Sequence, residues 1–238
     1  MNGYIRKMTK EEITRLDDSV STVYPVRNPK KPRKVRCVYN AAAKFQGKCL
    51  NNFIHSGPDL LGSLFGILPH FRQGVFTLCA DAKDMYLMLY VPPQDKPALR
   101  FLYRSNKSYE LDVYQCERRI FGECSAPACA NYTVLNNADE YCNEFRAAVS
   151  LKNNRYMDDT LESDTTVSPS RDLTEVMKRG GFHLTKWASK SSEVLREIAE
   201  IKEIEPQRSP AVQTLGVVYN PSVSCHRFGI HLVLCHPL

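Results

Sequence analysis

The sequence predicts an α+β fold, and three observations carry that prediction. A β-rich apolar run, Val75-Phe76-Thr77-Leu78-Cys79-Ala80, ends abruptly on the carboxylate of Asp81. Two adjacent acids, Asp158 and Asp159, follow Tyr156-Met157 in a segment that reads as a tight hairpin tip. Helical signals stand between and after these strands: Pro127 in the first turn of a run starting near Ser125, and a segment that stops at Gly180-Gly181. Strands that alternate with helices and hairpins imply mixed packing rather than a pure bundle or sandwich.

Taken in order, Met1 to about Val20 is charged and expected to be helical near Thr9-Lys10-Glu11-Glu12. Arg27, Lys30, Lys31, Arg33, Lys34 and Arg36 cluster with Pro29 and Pro32. Proline punctuation excludes a helix there, so a basic loop suited to phosphates is expected, with a localisation-type patch or a solvated linker as the alternative. An apolar strand follows. Pro58 is read as a helix start, with Leu60, Leu61, Leu64, Phe65 and Leu68 on one face. Phe76 to Val91 reads as two strands around a turn, halted by Pro92-Pro93. Ser125 to about Arg146 reads as one helix. Ser168 or Ser170 is expected to cap a helix running to Lys178. Leu184 to Trp187 is a short strand with Trp187 packed inside, and Ser189 to Glu205 is a charged helical stretch.

Composition sets bounds without finding a function. A chain of 238 residues forms one large or two small domains, and 43% apolar with 24% charged residues is ordinary for a globule. A net charge of +6 fits a polyanion partner, although many proteins with no such partner are as basic. Nine cysteines without a C-x₂-C pair argue against structural zinc, and Cys225-His226 and Cys235-His236 match no common metal site. Several cysteines sit in apolar runs as buried thiols do, so the chain reads as reduced and intracellular. Met1 to Lys10 is too polar for a signal peptide, and no apolar stretch reaches the ~20 residues of a membrane span.

The acids carry the chemistry. Adjacent like charges repel, and a turn that presents Asp158 and Asp159 together calls for a cation. Mg²⁺ suits it, because this hard ion is bound through one or two carboxylates plus substrate phosphates. An isolated Asp-Asp would read as a solvated turn. Asp81, at the end of a buried strand, supplies the missing third acid. Two-metal phosphoryl transfer needs such a cluster, with ions about 3.5–4 Å apart. Asp84 competes with Asp81 for this place; Asp81 is preferred because it directly ends the apolar run, whereas Asp84 reads as a solvated hairpin charge.

Motifs in a fixed order add to this reading. Val35 to Phe45, Leu50-Asn51-Asn52 with Gly57-Pro58-Asp59-Leu60-Leu61, Ala80-Asp81 through Val91-Pro92, Phe121 to Asn131, Tyr156-Met157-Asp158-Asp159 and Gly180 to Ser189 follow one another along the chain. From about Val23 to about Tyr219 the chain resembles the reverse transcriptase of BEL/Pao-type long-terminal-repeat retrotransposons. The resemblance implies a right-hand polymerase palm with partial fingers and an absent or truncated thumb. It implies a remnant over 1–20, a fingers-like segment over 21–75, a palm-like core over 76–220 with a fingers insertion near 92–120, and a truncated tail over 221–238.

The resemblance also implies roles. Asp81 and Asp158 would be the principal ligands of two Mg²⁺ ions, with Mn²⁺ as an alternative and Asp159 as the less direct partner. Tyr86 occupies the steric-gate position that disfavours a 2′-hydroxyl, and is also readable as a core tyrosine. Arg36 matches the residue that grips the incoming triphosphate, with Lys34 beside it. Lys186 matches a lysine that protonates the pyrophosphate leaving group, against its ordinary reading as a surface charge. The implied partners are an RNA or DNA template with primer and deoxynucleoside triphosphates, with no membrane. The implied setting is cytoplasmic, inside a virus-like particle of a full element, or nuclear.

Departures from the family pattern are Asn40 in place of an acid, Glu123, Cys124 and Ala126 in place of small hydroxyl residues, and Tyr219 in place of tryptophan. Glu123 would repel template or nucleotide if it faced the groove. The expectation is a piece of a polyprotein whose thumb, ribonuclease H and integrase lie elsewhere or are replaced by an unknown oligomer. RNA-directed DNA polymerase is the function implied, with a non-catalytic nucleic-acid-binding remnant or degenerate fragment as the alternative.

Overall fold

A computed structural model of the chain describes residues 3–14, 23–28, 31–74, 76–104, 110–164, 169–189, 191–200, 212–214 and 217–219. The first elements are β1 (Ile5–Lys7), α1 (Lys10–Thr14), β2 (Val23–Asn28), β3 (Lys31–Tyr39), α2 (Leu64–His70) and β4 (Phe76–Ala82). Then come β5 (Arg100–Tyr103), β6 (Asp112–Cys116), α3 (Ala126–Tyr141), α4 (Arg146–Asn153), β7 (Arg155–Tyr156) and β8 (Asp159–Asp164). The last are α5 (Pro169–Arg179), β9 (Leu184–Ser189), α6 (Ser192–Glu200), β10 (Val212–Thr214) and β11 (Val217–Tyr219). The chain divides into two units, Met1–Asp59 with Asp84–Ala130, and Leu60–Lys83 with Asn131–Leu238.

In the first unit, α1 forms where the sequence predicts it. The Thr9 amide donates to Glu12 Oε2 at 2.8 Å and the Glu12 amide donates to Thr9 Oγ1 at 3.3 Å, a reciprocal cap that starts a helix too short to stand on propensity. Strands β1, β6 and β5 form an antiparallel sheet in that order. Tyr39, Val91, Leu99, Phe101, Cys116 and Ile120 are buried together, with Ile5, Val23, Leu50 and Tyr114 packed against them. The Tyr39 and Phe101 rings meet edge to face at 5.2 Å, and Cys116 Sγ donates to the Tyr39 hydroxyl at 2.6 Å.

The basic segment corrects an expectation. Lys31–Tyr39 is not a loop but a strand, paired antiparallel with Val23–Asn28. Each strand of a two-stranded hairpin has an outer edge, where a proline's missing N–H costs no ladder bond. The side chains of residues 31–37, Lys34 and Arg36 among them, lie outside the described residues.

The predicted second strand after Asp81 is also absent. Asp84 is left-handed, with φ 50°, and Met85–Met88 close into a single 3₁₀ turn. Only Tyr90 recovers pairing, as a bridge to Arg118. Further along, the Asn51 side chain joins two of the sequence motifs. Its Nδ2 donates to the Gly122 carbonyl at 3.1 Å and its Oδ1 accepts from the Cys124 amide at 3.1 Å. Gly122 has φ 106°, and a Cβ there would stand 2.2 Å from the Tyr39 carbonyl oxygen, so this approach requires glycine.

In the second unit, β7, β8, β4 and β9 form an antiparallel sheet in that order. Strand β4 is central, and Leu78, Cys79 and Ala80 are buried, as expected of an apolar run paired on both sides. Ile67 of α2 and Phe71, just past its end, pack with Cys79 and Leu161, flanked by Leu68 and Tyr156. Helix α4 packs on α5, α5 on α6, and α6 on β9. Leu151, Leu173, Val176, Met177, Val194, Ile198 and Trp187 are fully buried. Trp187 is thus packed inside, as the sequence predicts.

Helix α5 ends as the glycines require. The Phe182 amide donates to the Met177 carbonyl and the Gly181 amide to that of Lys178, both at 2.9 Å, with Gly181 at φ 78°. This is the Schellman closure, in which the left-handed residue is glycine.

Other boundaries differ from expectation. Helix α2 begins at Leu64 rather than at Pro58: residues 55–63 have no regular structure, Gly57 is left-handed (φ 78°), and the chain passes from one unit to the other at Asp59–Leu60. The expected helix to Arg146 is two helices, broken where Phe145 is extended with φ −125°. Ser170 is inside α5 and buried, donating to Glu197 Oε2 at 2.9 Å, so it caps nothing; Ser168 and residues 201–205 lie outside the described residues. No helix among the described residues is long and apolar enough to cross a membrane.

Candidate active site

The β7–β8 hairpin brings the acids to β4. Tyr156 pairs with Asp159 and Arg155 with Thr160, leaving Met157 and Asp158 as a two-residue loop. Met157 has φ 55°, a left-handed conformation rare for a side chain with a Cβ, as a hairpin turn of this length demands at its first loop residue. The Ala82 amide donates to the Asp158 carbonyl at 2.7 Å, pinning the tip to the end of β4. Asp81 pairs directly with Asp159 in the β4–β8 register. Directly opposed residues of an antiparallel pair share a face, with Cβ atoms about 4.5–5.5 Å apart.

The third edge of the site comes from β9. Between Cys79↔Ala188 and Asp81↔Thr185 the register slips by one residue on β9, and Lys186 in the slip has φ 53°. Such a bulge re-aims a side chain. Lys186 Nζ is ion-paired with Asp81 Oδ2, and Thr185 Oγ1 lies 3.4 Å from Asp81 Oδ1. Asp81 is half-buried, Asp159 half-buried and Asp158 exposed.

Beneath the tip lies Arg155, which the sequence reading missed. It is 6% exposed. Its Nη1 donates to the Met157 carbonyl at 2.6 Å and its Nη2 to Asn131 Oδ1 of α3 at 2.7 Å. Burial pulls the guanidinium below its ordinary range, to about 10, while the Asp158 charge opposes that shift. Strand alternation next to Tyr156 already puts Arg155 on the opposite face of the hairpin. Nothing local in the sequence names Asn131 as its acceptor.

The donors suit a hard divalent cation by chemistry, being carboxylates carried on neighbouring backbone, Asp81 and Asp159 on paired strands and Asp158 in the loop between β7 and β8. Among the described residues no group of three His, Cys, Asp or Glu side chains is gathered closely enough to hold an ion. For Mg²⁺ this is no contradiction, since that ion keeps waters and completes its shell with substrate phosphates. Cys79 is buried below the acids, and burial, then the charge of Asp159, push its thiol well above the usual range.

Asp81, Asp158, Asp159 and Lys186 are thus brought together in the second unit. Tyr86 belongs to the first unit, in the Met85–Met88 turn, half-buried with its ring 4.8 Å from that of Phe121. Asp84 is exposed and its carbonyl accepts from the Leu87 amide at 2.8 Å. Glu123 is 3% exposed, ion-paired with Arg119 and accepting from Ser125 Oγ at 2.6 Å. Its charge is turned inward onto a cation rather than toward solvent.

No family model and no curated protein matches the chain. Solved structures do. A foamy viral protease–reverse transcriptase in complex with double-stranded DNA is 17% identical with a TM-score of 0.58, covering 92% of this chain and 31% of that protein. The native prototype foamy virus protease–reverse transcriptase is 15% identical with a TM-score of 0.57, covering 90% and 23%. Its CSH mutant is 15% identical with a TM-score of 0.59, covering 97% and 24%. The chain spans less than a third of each of these proteins. At this identity the likeness shows the fold, a reverse-transcriptase-like arrangement of helices and sheet.

Proposed function

We propose that the chain is the polymerase core of an RNA-directed DNA polymerase. The observation that carries the proposal is the convergence of Asp81, Asp158 and Asp159, from two distant sequence segments, at one end of the β4–β8 pair. The proposed reaction is attack of a primer 3′-oxygen on the α-phosphorus of a deoxynucleoside triphosphate. A new P–O bond forms as the bond to pyrophosphate breaks. Asp81 and Asp158, with Asp159 beside them, are the proposed ligands of two Mg²⁺ ions, or Mn²⁺. Bound there, the ions supply charge neutralisation and activation of the hydroxyl. Lys186, beside Asp81, is the proposed proton donor to pyrophosphate. Arg36 and Lys34 are proposed to meet the triphosphate, and Tyr86 to sense the sugar.

The order of the sequence motifs supports a BEL/Pao-type retrotransposon as the source, with the second unit as palm and the first contributing fingers. A template with primer is the partner this reading requires. A second reading, a nucleic-acid-binding remnant without catalysis, draws on the Lys186–Asp81 pair, which already neutralises one proposed ligand. Primer extension on an RNA template with a DNA primer, in Mg²⁺ or Mn²⁺, separates the two. Extension by the parent and none by Asp158→Asn supports the polymerase. No extension by folded parent, with salt-sensitive template binding retained, supports the remnant.

A further inference from the structure

The Asp158 tip is held in a conformation its own residues do not favour. Met157 at φ 55° is of a kind that costs about 1–3 kcal/mol and persists only where surrounding groups over-determine it. Arg155 is such a group. The Arg155 fork reaches the carbonyl of the strained residue through Nη1 and the α3 side chain of Asn131 through Nη2. One carbonyl further on, Asp158 accepts from the Ala82 amide of β4. The side chain is buried, and its Nε has no hydrogen-bond partner among the described residues. A buried cation is costly, and hydrophobic replacement of such groups is often neutral or stabilising. The cost is met where a planar fork must span two fixed acceptors at once, which a lysine or a neutral chain does less well.

We infer that Arg155 is a positioning residue: its buried guanidinium ties the Met157 carbonyl to α3 and so fixes Asp158 against the end of β4. Its effect on chemistry rests on the polymerase reading above; the brace itself does not.

The test therefore has two arms. In the first, amide hydrogen exchange is followed by NMR in the parent, Arg155→Gln and Arg155→Met. Exchange at Ala82, whose amide is bonded to the Asp158 carbonyl, should rise at least tenfold in both variants, while amides of Leu173–Met177 in α5 keep their parental protection. Unchanged exchange at Ala82 would overturn the brace, and so would a uniform rise across α5. If the Arg155 variants do not fold, Asn131→Ala removes the other end of the fork and should give the same local pattern more weakly; parental protection there would equally overturn it. In the second arm, nucleotide addition by Arg155→Gln should lose at least tenfold in kcat with KM for the nucleotide unchanged, and Arg155→Lys should recover part of the loss. A change in KM alone would count against positioning. Failure of the parent to extend a primer would sink the polymerase reading while the exchange arm still decides the brace.

Discussion

Gly122→Ala is the substitution whose cost the structure specifies most fully. Its φ of 106° strains any residue with a Cβ, which costs about 1–3 kcal/mol. The added Cβ would also stand 2.2 Å from the Tyr39 carbonyl oxygen and 3.3 Å from its carbonyl carbon. That neighbour is backbone and cannot rotate away. Tyr39 is in turn held by the Phe101 ring and the Cys116 thiol, so relief must come from displacing the start of α3 or the end of β3. Overpacking of this kind adds about 1–3 kcal/mol. The sum, about 2–6 kcal/mol, lowers the midpoint by roughly 4–24 °C for a chain of this size. Gly47→Ala is the matched control, with φ 80° but nothing within 4 Å of its Cβ. Thermal and urea unfolding followed by circular dichroism should place Gly122→Ala below Gly47→Ala by the overlap alone, about 1–3 kcal/mol. Equal losses would refute the close approach of Gly122 to β3.

Other outcomes follow from the same geometry. Trp187→Ala should destabilise by about 3–5 kcal/mol, read by urea unfolding, because the indole is fully buried beside the Lys186 bulge. Lys186→Ala should cost less than about 1 kcal/mol despite its ion pair, since the lysine is half exposed; a larger loss would mean that the bulge depends on the pair. The Cys116 thiol is pushed up by burial from 9.0 to about 12. The native state therefore keeps that proton when the unfolded chain has lost it. This group's contribution should be level below pH 9 and fall as pH rises toward 12, and Cys116→Ala should lessen the alkaline loss of stability in pH-dependent urea unfolding, with buried Cys79 still contributing its share.

What the sequence discloses and what it withholds divide along one physical line. The Asp81 strand end, the Met157–Asp158 tip and the stop at Gly181 are read correctly because each is set by neighbours a few residues away. The Met85–Met88 segment is misread because its apolar, aromatic residues suit a strand, yet Asp84 turns the chain into a 3₁₀ turn as it leaves β4. The basic segment is misread for the converse reason: its prolines argue against regular structure, and pairing with β2 overrides them. Glu123 looks like a repulsive charge until Arg119 and Ser125 are seen around it. Arg155 is the clearest case, since its importance lies in Asn131, on a different helix. The bulge that turns Lys186 toward Asp81 is likewise a property of register, which no single segment encodes.

The proposed function assigns nucleotidyl transfer to the acid at the end of β4 together with the hairpin tip. Single-nucleotide addition to a DNA primer on an RNA template tests it most directly, comparing the parent with Asp81→Asn and Asp84→Asn. Asp81 is paired with Asp159 across β4 and β8, whereas Asp84 lies beyond the strand as an exposed turn residue. Addition abolished by Asp81→Asn and retained by Asp84→Asn, with both variants folded, is the predicted result. Addition that survives Asp81→Asn, or that is lost only with Asp84→Asn, would overturn the assignment of Asp81 to the reaction.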